Sequence, residues 1–168
     1  MSYSIYDASV PVMSRALANL SKILDKAVAQ ANANGIALNT LIEARLAPDM
    51  LPFSFQIQSA SDAAKGCAAR LAGIEAPSMP DSETTFPELK ARIEKTVAFL
   101  QSVDATRIAG SEDRTIVMKF PQGEMKFTGR DYVAGFALPN FFFHVTTAYD
   151  ILRHKGIAIG KMDFLGAA

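Results

Sequence analysis

Tryptophan is missing from this 168-residue chain, cysteine occurs once and histidine twice. A lone thiol, Cys67, cannot close an internal disulfide, so no covalent staple is expected and a reducing compartment suits the chain. Charge of one sign is also lacking: 17 basic side chains balance 17 acidic ones. That balance predicts neither a nucleic-acid footprint nor attraction to an anionic membrane. No apolar run approaches the roughly 20 residues of a spanning helix. The opening "MSYSIYDASVPVMS" has no basic stretch followed by an apolar one, so no secretion signal is expected and a cytoplasmic location is. There is no repeat of fixed period, no low-complexity block and no Ser–His motif of a catalytic triad. "GSEDR" and "PQG" lack the length and context of a phosphate-cradling glycine loop.

Apolar residues make up 49% of the chain, enough for one full core, and the length suits a single domain over 1–168. Four long helical patterns are present. The first runs from about Ile5 to Asn32 with Val12, Ala16, Leu20, Ile23 and Ala27 at helical spacing. Pro11 either kinks it or sits in its first turn behind Asp7 or Ser9 as a cap. Gly35 ends this segment, and "LNTLIEARL" reads as a short helical piece. The second helix spans about Ser54 to Ala72, with Phe55, Ser59, Asp62/Ala63 and Gly66 on one face and many small residues. The third runs from Thr85 or Pro87 to Val103, with Thr84 or Thr85 as cap and Leu89, Ile93, Val97 and Leu100 as its stripe. The period then changes to two: "RTIVMKF" and "GEMKFTG" predict a β-hairpin over about 114–128. A lone hairpin is marginal in water, so it must lie on the helices or pair with another chain. The fourth helix runs from Gly129 or Arg130 to His154. The pattern predicts an all-α fold, an antiparallel four-helix bundle with one hairpin before its last helix.

Projected at 100° per residue, Val133, Phe136, Asn140, His144, Thr147 and Ile151 fall on one stripe of the fourth helix, which predicts that this stripe faces inward. Asn140 and His144 stand four apart and meet on that face. Pro139 cannot donate to the carbonyl of Gly135, which predicts a bend there. Three roles are open to His144: a hydrogen-bonded structural residue, a metal ligand, or a group that moves a proton or orients a ligand. His154 is nearly three turns further on, about 15 Å, and cannot join His144 on one metal. It reads as a cation in the last helical turn.

Asp49, before the second helix, offers a carboxylate to the mouth of the bundle. Tyr6 and Tyr149 offer hydroxyls. Cys67 among alanines reads as a buried structural thiol. Phe141, Phe142 and Phe143 spread over about 200° of helix, so at least one must cover a neighbour, the hairpin or another subunit, and a homodimer is expected on that ground.

"LPNFFFHVTTAYDILRHKG", the hairpin followed by "TGRDY", and the closing "GKMDFLG" together resemble a bacterial family of unknown function within the DinB/YfiT-like superfamily of four-helix bundles. The resemblance covers essentially the whole chain. It implies a site in which one histidine of the second helix and an H-x-x-x-H pair of the last helix bind a divalent metal, typically nickel or zinc. It also implies kinship with thiol-dependent transferases and isomerases. By its distance to Leu152-Arg153, His144 matches the second histidine of the pair. The first falls on Asn140, and the second-helix histidine on Gln56 or Gln58. One ligand of three remains. Three functions follow as alternatives. The first is a small-ligand protein with a degenerate metal site around Gln56, Asn140, His144, Asp49 and Tyr149. The second is a metal-dependent thiol-transferase-like enzyme with His144 as a ligand. The third is a structural or stress-related homodimer.

Overall fold

The computed structural model describes residues 4–166. The first long helix, α1 (Val10–Ala33), starts five residues later than the sequence pattern suggests. Pro11 lies in its first turn, where the missing N–H costs nothing. Neither Asp7 nor Ser9 caps it. Asp7 instead accepts from the Ser4 N–H and hydroxyl, and the Ser9 hydroxyl donates to the Ile5 carbonyl at 2.6 Å. The short α2 (Leu38–Ile42) leads to α3 (Phe53–Ala72). Helix α4 (Phe86–Ser102) carries the expected cap at Thr85, whose side chain accepts from the Glu88 N–H while Glu88 accepts from the Thr85 N–H. One further turn, α5 (Ala105–Ile108), precedes the hairpin.

Strands β1 (Thr115–Phe120) and β2 (Gly123–Thr128) pair antiparallel, with Ile116 opposite Phe127 and Met118 opposite Met125. The last long helix has three parts: α6 (Gly129–Tyr132), a π-helical turn over Val133–Ala137, and α7 (Leu138–His154). Within the turn the Leu138 N–H donates to the Val133 carbonyl, five residues back. Pro139 explains why the helix is disturbed here rather than elsewhere, since it has no N–H to offer Gly135. A final short helix, α8 (Lys161–Leu165), closes the described chain.

Helix α3 packs against α7 and α4, and α1 against α4 and α7, which makes the four-helix bundle. Alanines at 60, 64 and 68 of α3 are fully buried and let its neighbours approach closely. Leu17, Leu20, Leu24, Phe53, Ile57, Leu71, Leu89, Phe141 and Leu152 are all at most 1% exposed. Each such side chain stabilises the fold by about 1.5–3 kcal/mol relative to leaving it in water. No described helix is long and apolar enough to cross a membrane.

The inward face of the broken helix keeps Val133, Thr147 and Ile151 of the expected stripe, all buried, but not its other three members. Ala137, Phe141, Val145, Ala148 and Leu152 run along its centre, all buried. Phe136, Asn140 and His144 are only partly buried, on the flank of that face. The π turn adds a residue between the two parts of the helix and shifts their relative phase. Of the three phenylalanines, Phe141 is buried, Phe142 partly so and Phe143 is 57% exposed.

The hairpin lies against the helices through an aromatic cluster. The Phe127 and Phe136 ring centroids are 5.8 Å apart, those of Tyr132 and Phe136 6.1 Å, and those of Phe120 and Phe136 6.1 Å. Its junction with α6 demands a glycine: a Cβ at Gly129 would sit 2.0 Å from the Ser111 carbonyl oxygen. The C-terminal segment is fastened along α1. Gln30 exchanges two hydrogen bonds with the backbone of Ala158, Asn19 donates to the Phe164 carbonyl and Lys26 pairs with Asp163.

Candidate functional site

A cleft of about 300 Å³ opens between α3, the π turn, the start of α7 and β1. Ser59, Asp62, Ala63 and Arg70 line it from α3, and Tyr132, Phe136, Ala137, Asn140 and His144 from the broken helix. Met118 and Phe120 of β1 form its outer wall. The π turn serves this wall directly, because its widened path presents Phe136 and Ala137 beside Asn140.

His144 is held from behind. Its Nδ1 lies 2.9 Å from the Oε1 of Gln56, which is 2% exposed. Gln56 uses its amide N–H to donate to the Leu51 carbonyl at 3.0 Å. Its oxygen therefore faces the imidazole, and an oxygen only accepts. Nδ1 must carry the hydrogen, which leaves Nε2 as a bare acceptor. Burial holds His144 below its ordinary pKa of 6.5, so the ring is neutral at pH 7. The edges of Phe55 and Phe143 flank it at 6.1 and 5.3 Å between centroids.

At the opposite end of the cleft, Arg70 donates from Nη1 to the Tyr132 hydroxyl at 3.0 Å. Gly66 makes room for this: a Cβ there would meet the Arg70 Nη1 at 2.5 Å, so the guanidinium lies back along α3 over the glycine. Burial, with a smaller contribution from Cys67, pushes the Tyr132 phenol up to about 12, so it stays protonated.

A second polar cluster adjoins the cleft. Arg92, 2% exposed, pairs with Asp62 at 2.7 Å, Asp81 at 2.9 Å and Glu83 at 3.0 Å. Asp62 also pairs with Lys65 at 2.9 Å, and Gln58 donates to Glu83 at 3.0 Å. Burial raises Glu83, but the hydrogen bonds from Gln58 and Arg92 outweigh it and hold the carboxyl below its ordinary value. This cluster ties the Ile74–Thr85 connection down onto α3 and α4.

Asn140 and His144 thus line one cleft, and Gln56 stands buried behind His144. Asp49 is exposed in the link before α3 and lines no part of it. Tyr149 turns the other way and packs edge-on against Phe164 at 5.8 Å, fastening α8. Cys67 is fully buried, and burial pushes its thiol up to about 12, which leaves it protonated. Arg70, Tyr132 and Arg92 are the residues that sequence reasoning passed over. Arg70 follows Gly66 by four on the Phe55–Ser59–Asp62–Gly66 face, and Arg92 interrupts the Leu89–Ile93–Leu100 stripe, so each left a trace in the spacing.

A resident nickel or zinc ion does not fit these residues. Such sites draw on three or four nitrogen, sulfur or carboxylate ligands. Among the described residues no group of three or more His, Cys, Asp or Glu side chains is placed to hold an ion. Amides occupy the two further positions, and that of Gln56 is already committed to His144 and Leu51.

Comparison with known proteins agrees with this architecture. Residues 5–165 match the family model described as Domain of unknown function (DUF1993). No functionally curated protein matches the chain. The crystal structure of a DinB family member protein from Shewanella denitrificans superposes with a TM-score of 0.89 at 40% identity, covering 97% of this chain and 92% of that one. The chain therefore belongs to the DUF1993 family, a group of DinB-like helical bundles with no assigned function.

Proposed function

We propose that this DinB-like protein binds a small organic molecule in the cleft between α3 and α7, using the place of a degenerate metal site as a hydrogen-bonding end wall. The observation that carries the reading is the bond between Gln56 and His144. It aims a neutral imidazole with a free Nε2 acceptor, and it uses a buried amide where a metal ligand would stand. Asn140 beside it offers both a donor and an acceptor. The mixture of apolar walls with a few convergent polar groups is that of small-molecule sites.

Protein labelled with ¹⁵N-histidine tests this. At pH 7.5 the His144 ring should report the Nδ1–H tautomer, and titration with a fragment library should move its Nε2 resonance. After incubation with nickel or zinc, elemental analysis of the native protein should find well under one ion per chain. A double variant, Gln56→His with Asn140→His, should take up one. Stoichiometric metal in the native protein, lost on His144→Ala, would overturn the reading in favour of a metal-dependent transferase.

A further inference from the structure

Resting on the cleft reading above, we infer that the ligand is a small organic anion: its carboxylate is received by Arg70 and the Tyr132 hydroxyl, and a hydroxyl or N–H at its other end donates to His144 Nε2. Three observations converge. Arg70 is exposed on the cleft wall and pairs with no carboxylate among the described residues; its one hydrogen bond goes to Tyr132. Its remaining guanidinium N–H groups are open to a forked acceptor. The Tyr132 oxygen accepts from Arg70 and keeps its own hydrogen to donate, since the phenol remains protonated. Asp62, the carboxylate nearest the path, pairs with Lys65 and Arg92, but Arg92 is shared with Asp81 and Glu83, so this cluster stays net negative and Arg70 itself must attract the anion.

The spacing sets the ligand's length. The Arg70 guanidinium lies at the level of Gly66, and His144 is anchored on Gln56, with Ser59 the next residue of α3 on the cleft wall. Gly66 stands seven to ten positions of helix from Ser59 and Gln56, about 10–15 Å. Between the ends, Met118, Phe120, Phe136 and Ala137 supply apolar walls. A flat apolar body with a carboxylate at one end and an O–H at the other fills these requirements.

The probes are 4-hydroxyphenylacetate, its neutral amide 4-hydroxyphenylacetamide, and phenylacetate, followed by NMR of ¹⁵N-labelled native protein. The acid should bind about tenfold more tightly than the amide, the margin of a charge-assisted pair. It should move the Arg70 Nε and His144 signals together, and phenylacetate should leave Nε2 unmoved. Arg70→Gln should erase the preference for acid over amide. Gly66→Ala should erase it too, because the new methyl displaces the guanidinium without removing its charge; retained far-UV circular dichroism confirms the fold. Equal binding of acid and amide, or an acid preference that survives Arg70→Gln, overturns the anion while leaving the cleft as a binding site. Failure of all three probes to bind at 10 mM also overturns it, and the fragment titration on His144 then decides the cleft reading separately.

Discussion

At the scale of the residue, Gln56 decides what His144 can do. It is a buried amide with both ends committed, to the Leu51 carbonyl and to the imidazole. Gln56→Leu strands both partners, and urea denaturation should register a loss of about 1–3 kcal/mol. The His144 tautomer should become mixed in the same variant. A pH dependence follows from the burial that lowers the His144 pKa. Above 6.5 the ring is neutral in both folded and unfolded chains and contributes nothing. Below 6.5 the unfolded chain takes up the proton first, so the folded state loses stability until the pH falls beneath the folded value. Native protein should therefore lose more stability than His144→Gln between pH 7.5 and 5, measured as urea midpoints. Equal losses would mean that the ring titrates as though exposed. His144 was legible as a polar residue on an inward helix face, whereas Gln56 was a candidate, beside Gln58, only through the family resemblance. Their partnership was not, because a separation of 88 positions in the sequence carries no signal of pairing.

At the scale of the element, the broken helix carries the most instruction. Pro139 and its missing donor pointed to a disturbance near Gly135, and the disturbance is there. Its form, a π turn, changes the phase of everything upstream, so a projection at constant pitch mixes the flank with the centre of the inward face. Asn140 and His144 lie beyond the turn, on the same α7 stripe as the buried Thr147 and Ile151, and read as core-facing because the cleft that leaves them partly exposed has no local signal. The short helices α5 and α8 escaped notice for a different reason: four or five residues cannot display a period. The junction at Gly129 makes a sharper prediction. Gly129→Ala would drive a methyl into the Ser111 carbonyl, where backbone rather than a mobile side chain must yield. The cost should reach about 3 kcal/mol, the upper end of ordinary overpacking, as a drop in the denaturation midpoint. A change within about 0.5 kcal/mol would show that the joint is slack.

At the scale of the whole molecule, the bundle was legible because its four long stripes, its capping box at Thr85 and its switch to period two are local signals that agree with the global fold. What stayed hidden was long-range. Arg92 gathers carboxylates from α3 and from the connection before α4, and the C-terminal segment clasps α1, through contacts no window of sequence can contain. The cleft inherits an asymmetry from this architecture. Its helical wall shares the core's cohesion, whereas its outer wall is one face of a two-stranded hairpin whose second strand is exposed over most of its length. Such a hairpin opens far more readily than the bundle unfolds. For any occupant, then, residence time is set by the breathing of Met118 and Phe120, and equilibrium selectivity by the helices. Evolution or engineering can retune how long a guest stays, by way of the Pro121–Gly123 turn, without altering which guest is chosen.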